Sequence, residues 1–249
     1  MLLSTRDEGG DDERARSASS ESSATQPAGR IAYLSGPVLS ASVYVVDAAG
    51  GEPEMVLDTG AETLRPDWSP DGRALAFTRT VRRNQDVYVI ARDAAAAPRR
   101  LTRTGAPDQE AAWSPDGTRI AFSSRRDGNW ELYTIAPDGT AQRRVTRTRA
   151  PEGAPAWSPD GRTVAFQRVT AARADLWLAA ADGSGARRVT ARSGNEVDVA
   201  WSPDGTQLAF ASDRGGRWRI HALVLAEGRR TELVSAGPAR YPDWQPLRR

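Results

Sequence analysis

Trp113-Ser114-Pro115-Asp116-Gly117-Thr118-Arg119-Ile120-Ala121-Phe122 decides the fold, because it recurs along the chain. The pentapeptide Trp-Ser-Pro-Asp-Gly opens at Trp68, Trp113, Trp157 and Trp201, and a shortened Trp244-Gln245-Pro246 stands near the end. These tryptophans are spaced by 45, 44, 44 and 43 residues, a period typical of architectures that build one small sheet per repeat. Within the motif, Pro presets φ at the first central position of a turn. Asp71, Asp116, Asp160 and Asp204 suit the second, and Gly72, Gly117, Gly161 and Gly205 take the positive φ that closes it. The turn alone accounts for these aspartates, so they read as architecture and not as ligands.

A short alternating strand follows each turn: Leu75-Ala76-Phe77, Ile120-Ala121-Phe122, Val164-Ala165-Phe166 and Leu208-Ala209-Phe210. Large residues share one face and Ala occupies the other, which lets adjacent sheets nest at close range. A third strand carries an aromatic at a fixed place (Tyr44, Tyr88, Tyr133, Trp177), with His221 in the last copy. A fourth carries Arg99-Arg100-Leu101-Thr102, Arg143-Arg144-Val145-Thr146 and Arg187-Arg188-Val189-Thr190. The expected fold is all-β: a β-propeller of four-stranded antiparallel blades. The Trp-bearing strand and the three other strands each occur five times, but the first set of the other three precedes any Trp-bearing strand. The arithmetic therefore favours five blades, with the C-terminal strand around Tyr241-Pro242-Asp243-Trp244 closing the ring and removing open sheet edges. Six blades is the alternative count.

Residues 1–29 hold almost no large apolar side chains and cannot bury enough surface to offset their ordering entropy, so a disordered tail or linker is expected there. The propeller then takes residues 30–249. The tail lacks the apolar core of a signal peptide, although a start codon assigned too late would hide one. No run of 18 or more apolar residues occurs, so no membrane-spanning helix is expected. All 34 basic residues are arginine and stand against 32 acidic ones, a balance too even to suggest nucleic acid. The Arg pairs read as charge on exposed edge strands that discourages aggregation. A monomer is expected.

Together the Trp-Ser-Pro-Asp-Gly turn, the Ile-Ala-Phe strand and the Arg-Arg-Val-Thr strand resemble the WD40-like (PD40) repeat of TolB-type propellers. Ser123-Ser124-Arg125-Arg126-Asp127-Gly128-Asn129-Trp130-Glu131-Leu132-Tyr133 adds to the likeness, which covers roughly residues 30–249. The Gly-His and Trp-Asp pairs of true WD40 repeats are absent. The resemblance implies a bacterial, periplasmic or otherwise extracytoplasmic propeller that binds proteins or small ligands at the narrow mouth of its channel. TolB itself resembles a six-bladed propeller preceded by an α/β domain, and this sequence shows no such domain. The same repeat builds propellers attached to serine peptidases, but no Gly-x-Ser-x-Gly elbow occurs here.

Chemistry at neutral pH has few carriers in this sequence. There is no cysteine and one histidine, and His221 fills an aromatic slot, which packing explains. No cofactor and no metal site are expected, save that oxygen ligands at the channel mouth leave calcium open. The residues just before each Trp form that mouth: Glu62, Asp108, Glu110, Glu152, Glu196 and Asp198. They are either a convergent acidic ring or solvated loop carboxylates, some paired with Arg65 or Arg103. The expected function is a non-enzymatic scaffold that holds a protein or peptide partner, or a small ligand, at this mouth. The alternatives are a calcium-assisted hydrolase or lyase, and a propeller module detached from a larger exported or signalling protein.

Overall fold

In the computed structural model, the described residues are 30–35, 42–47, 52–57, 63–92, 97–171, 173–190, 194–234 and 242. They form nineteen strands in five antiparallel sheets, and none of them is helical. The first sheet has three strands, β1 (Arg30–Ser35), β2 (Ser42–Asp47) and β3 (Glu54–Leu57). The next four each have four strands in simple meander order. They are β4 (Thr63–Trp68), β5 (Ala74–Val81), β6 (Asn84–Ala91) and β7 (Arg99–Arg100); then β8 (Asp108–Trp113), β9 (Ile120–Ser124), β10 (Glu131–Ile135) and β11 (Arg143–Arg144). The fourth blade runs β12 (Glu152–Trp157), β13 (Thr163–Thr170), β14 (Arg173–Ala180) and β15 (Arg187–Arg188). The fifth runs β16 (Glu196–Trp201), β17 (Gln207–Ser212), β18 (Arg219–Val224) and β19 (Arg229–Val234). The expected tail (1–29), Glu62 and Trp244 lie outside the described residues, as does the closing strand except for Pro242.

The Trp-Ser-Pro-Asp-Gly turn joins the first and second strands of four blades with one repeated geometry. Gly72 N donates to Ser69 O at 2.8 Å, and Ser69 N to Ala74 O at 2.8 Å. Gly72, Gly117, Gly161 and Gly205 have φ of 66°, 68°, 69° and 72°, a region that costs glycine nothing. The serine contributes more than its small size suggests. Ser69 Oγ donates to Asp71 Oδ1 at 2.6 Å while accepting from Ala74 N at 2.9 Å. The same Ser-to-Asp bond recurs at 2.6 Å in Ser114–Asp116, Ser158–Asp160 and Ser202–Asp204. These bonds hold all four turn carboxyls below their ordinary pKa.

Blade-to-blade packing follows the small-against-large rule. Phe77, Phe122, Phe166 and Phe210 are fully buried. Ala76 of the second blade packs among Ile120, Phe122 and Ile135 of the third, and Ala121 packs among Trp157, Val164 and Phe166 of the fourth. Trp157 and Trp201 also reach back one blade, their indole Nε1 donating to Ala112 O at 3.2 Å and Ala156 O at 3.1 Å.

The outer strands differ from the expected rows of exposed charge. Only the two arginines of each motif pair as strand, and the second, while still 28–42% exposed, reaches a buried acid. Arg100 meets Asp86 and Arg188 meets Asp175, both at 2.7 Å, and Arg144 pairs with Glu131. The acids are almost wholly buried, with side-chain exposures of 1%, 2% and 1%. The threonine ending the motif accepts a backbone N–H of the third strand: Val87 to Thr102 at 3.0 Å, Leu132 to Thr146 and Leu176 to Thr190 at 2.9 Å. Each of these three outer strands, β7, β11 and β15, is thus fastened by an ion pair to a buried acid and by one hydroxyl after only two residues of ladder.

Candidate functional site: the central channel and its mouth

The first strand of four blades contains a β-bulge at the same repeat position, between Leu64 and Asp67, Gln109 and Ala112, Gly153 and Ala156, and Val197 and Ala200. Its left-handed residue, three before the Trp, is Arg65, Glu110, Ala154 or Asp198, with φ of 42°, 60°, 49° and 56°. Bulges re-aim side chains that a regular pleat would send to a sheet face. Here they produce two different arrangements. Arg65 of the second blade forms an ion pair with Asp198 of the fifth. Glu110 instead ties the third blade to the fourth, its Oε2 accepting from Ser123 Oγ at 2.9 Å and Ala154 N at 2.6 Å.

The acids two residues earlier behave as a separate class. Asp108, Glu152 and Glu196 have side chains with no exposure to solvent. Asp108 meets Arg126 at 2.8 Å, Glu152 meets Arg168 at 2.7 Å, and Glu196 meets Arg230 at 2.6 Å. Each arginine also lies over an aromatic ring of its blade. Arg126 sits 4.4 Å from the Tyr133 ring centre, Arg168 3.8 Å from Trp177, and Arg230 4.9 Å from Phe210. Burial raises the Glu152 carboxyl above its ordinary pKa despite the hydroxyl and Arg168 contacts that oppose it. A carboxylate neutralised and enclosed in this way fastens its blade.

The six acids named from the sequence therefore do not form one solvated ring. Three are enclosed, Glu110 bridges blades, Asp198 pairs with Arg65, and Glu62 lies outside the described residues. Among the described residues no group of three or more His, Asp or Glu side chains is placed to hold a metal ion. His221 stacks on Phe210 with ring centres 5.8 Å apart, as Tyr133 does on Phe122 at 5.8 Å and Tyr88 on Phe77 at 5.9 Å. Neither of its ring nitrogens has a hydrogen-bond partner.

Inside the bulges the first strands enclose a channel of about 480 Å³. Its wall is largely apolar: Pro66, Pro155 and Pro242, Trp113, Trp157 and Trp201, and several alanines, with Arg65, Asp67 and Asp198 among them. Pro242 is two residues before Trp244, the repeat position of Pro66 and Pro155. The expected closing segment thus contributes one residue to the same wall. Sequence reasoning missed Arg126, Arg168 and Arg230. Their offsets from the blade's Phe differ, so no fixed spacing reveals them.

Comparison with known proteins agrees with this architecture. The family model described as the TolB beta propeller domain matches residues 13–151 and 141–247. The Tol-Pal system protein TolB of Thioalkalivibrio sulfidiphilus is 37% identical over 70 residues, which is 26% of this chain and 16% of that protein. Its counterpart in Xanthomonas campestris is 34% identical over 64 residues, 24% of this chain and 15% of that protein. The matched stretch is thus a small part of either relative. Among solved structures, TolB from Acinetobacter baumannii superposes with a TM-score of 0.76 at 24% identity, over 87% of this chain and 54% of that one. A putative TolB from Agrobacterium tumefaciens gives 0.75 at 24%, over 86% and 81%. A puromycin hydrolase shares the fold at 0.64 and 20%, over 84% of this chain and 38% of that one. The chain belongs to the TolB β-propeller domain family.

Proposed function

We propose that the protein is a non-enzymatic binding module whose central channel receives a short segment of a protein partner. The observation that carries this reading is the channel itself. Its volume of about 480 Å³ falls in the range of roughly 300–1,000 Å³ common for ligand sites, and rigid proline and indole groups line it. Such walls lose little side-chain entropy on binding. Asp198 and Arg65 border the apolar wall, so a segment that brings its own charge can exchange partners with their ion pair. The name of the matched relatives, Tol-Pal system proteins, supports work as one member of a set of partner proteins.

The test is capture from the native organism with the wild type and with Ala156→Trp, which fills the channel while leaving the Ala156 carbonyl to accept from Trp201. A partner recovered by the wild type and lost by an equally stable Ala156→Trp variant supports the reading. Equal recovery of the same partners by both refutes it.

A further inference from the structure

Two neighbouring blade interfaces hold an indole in the same way but cover it differently. Trp157 and Trp201 each donate Nε1 to the alanine carbonyl just before the preceding blade's Trp, at 3.2 and 3.1 Å. Over Trp157 lies the guanidinium of Arg119, 4.7 Å from the ring centre, and Trp157 is left only 8% exposed. Six residues after its own Trp, the fourth blade carries Thr163 where the third carries Arg119. At the next interface a groove of about 670 Å³ opens, bordered by Thr163, Leu178, Trp201 and Leu225.

The groove has the charge to match. Asp160 and Asp204 border it from the turns of the two blades, against one cation, Arg187. Both aspartates are solvent-exposed, and hydrogen bonds from Ser158 and Ser202 keep their carboxyls below the ordinary pKa. A planar cation over an indole face is attracted by the ring's quadrupole, and nearby carboxylates add to this. The groove lies at the Trp end of β16, whereas Glu196 and Asp198 of the mouth lie toward its start. It adjoins the channel, sharing Pro159 and Trp201 with its wall, but Asp160, Thr163 and Asp204 border the groove alone.

We propose that the groove between the fourth and fifth blades binds an arginine side chain presented by a protein partner, stacked on Trp201 in the manner of Arg119 on Trp157. The protein supplies its own precedent, since the group that occupies the equivalent place one blade earlier is an arginine side chain.

The test uses the full chain labelled with fluorotryptophan, its Trp201 fluorine resonance identified by Trp201→Phe. It is titrated with acetyl-Gly-Arg-Gly-amide and with the lysine and citrulline peptides of the same length. The expected result is a saturable shift of the Trp201 resonance with the arginine peptide, at least threefold weaker binding of the lysine peptide and no saturation with the neutral citrulline peptide. Thr163→Arg, which fills the groove from within, abolishes the response. Asp204→Asn weakens it and serves where Thr163→Arg folds poorly. No saturable shift at Trp201, an equal response to citrulline, or a response unchanged in the folded variants overturns the proposal.

Discussion

Arg219 and Glu232 form an ion pair at 2.6 Å with the polarity of the other blades reversed. In the second to fourth blades the acid stands at the head of the third strand and the arginine on the outer strand, as in Asp86–Arg100 and Asp175–Arg188. In the fifth, Arg219 holds the acid's place and Glu232 the arginine's, opposite His221 where Arg100 is opposite Tyr88. The strand-to-strand link survives while its charges exchange, which points to the pairing as the requirement and not to either residue type.

The two kinds of pair differ in worth. Arg219 and Glu232 are each about one-third exposed, so Arg219→Ala should cost under about 1 kcal/mol. Arg144→Ala leaves the buried Glu131 carboxylate without its cation and should cost about 3 kcal/mol. Urea denaturation of the two single variants against the wild type measures both.

Among the described glycines, Gly183 makes the tightest blade-to-blade approach to backbone. A Cβ there would stand 1.8 Å from the Val145 carbonyl oxygen of the preceding blade, whereas at Gly139 the same atom would be 3.8 Å from Leu101 O. Both have φ of 89°, so backbone strain is common to the two. Gly183→Ala should lose at least about 2 kcal/mol more than Gly139→Ala, as overpacking against rigid backbone does. Thermal melts of the pair provide the comparison.

His221 should make stability depend on pH. Burial chiefly, and the positive charge of Arg230 next, hold its imidazole below the ordinary value, with Glu232 opposing. The unfolded chain therefore binds a proton at a higher pH than the folded one. Stability is full above about pH 6.5, the free imidazole's value, and falls as the pH drops toward the lower folded value. The melting temperature should drop more between pH 7.5 and 5.5 for the wild type than for His221→Tyr, which restores the aromatic of the other blades. Equal drops would assign the effect to other groups.

Much of this architecture was legible in the sequence, because turn chemistry and strand alternation are local. The glycines of the four turns, the Ala and Phe faces and the register of the blades depend on residues a few positions apart. The state of the mouth acids was not legible. Asp108, Glu152 and Glu196 share one repeat position, but their cations come from the loop after β9, from β13 and from β19. A carboxylate that reads as solvated in a loop is enclosed once a non-local arginine and an aromatic face close over it. The pairing of Arg100, Arg144 and Arg188 with buried acids was hidden likewise, since a charged strand at a sheet edge has the same composition whether or not an acid lies beneath it.

Calcium provides a further check on the mouth. Each of its enclosed acids is already paired with an arginine, and Asp198 with Arg65. Millimolar Ca²⁺ should therefore leave the melting temperature within about 1 °C, because only a ligand that binds the folded state raises it. A larger, saturable rise would return the metal-assisted reading to consideration.

The most direct test of the channel as the binding surface is site-specific photo-crosslinking in the native organism. A benzophenone amino acid is placed at Val199, which lines the channel, or at Arg99 on an outer strand. The account predicts a discrete protein adduct from position 199 and none of the same mass from position 99. Adducts from position 99 alone would contradict it.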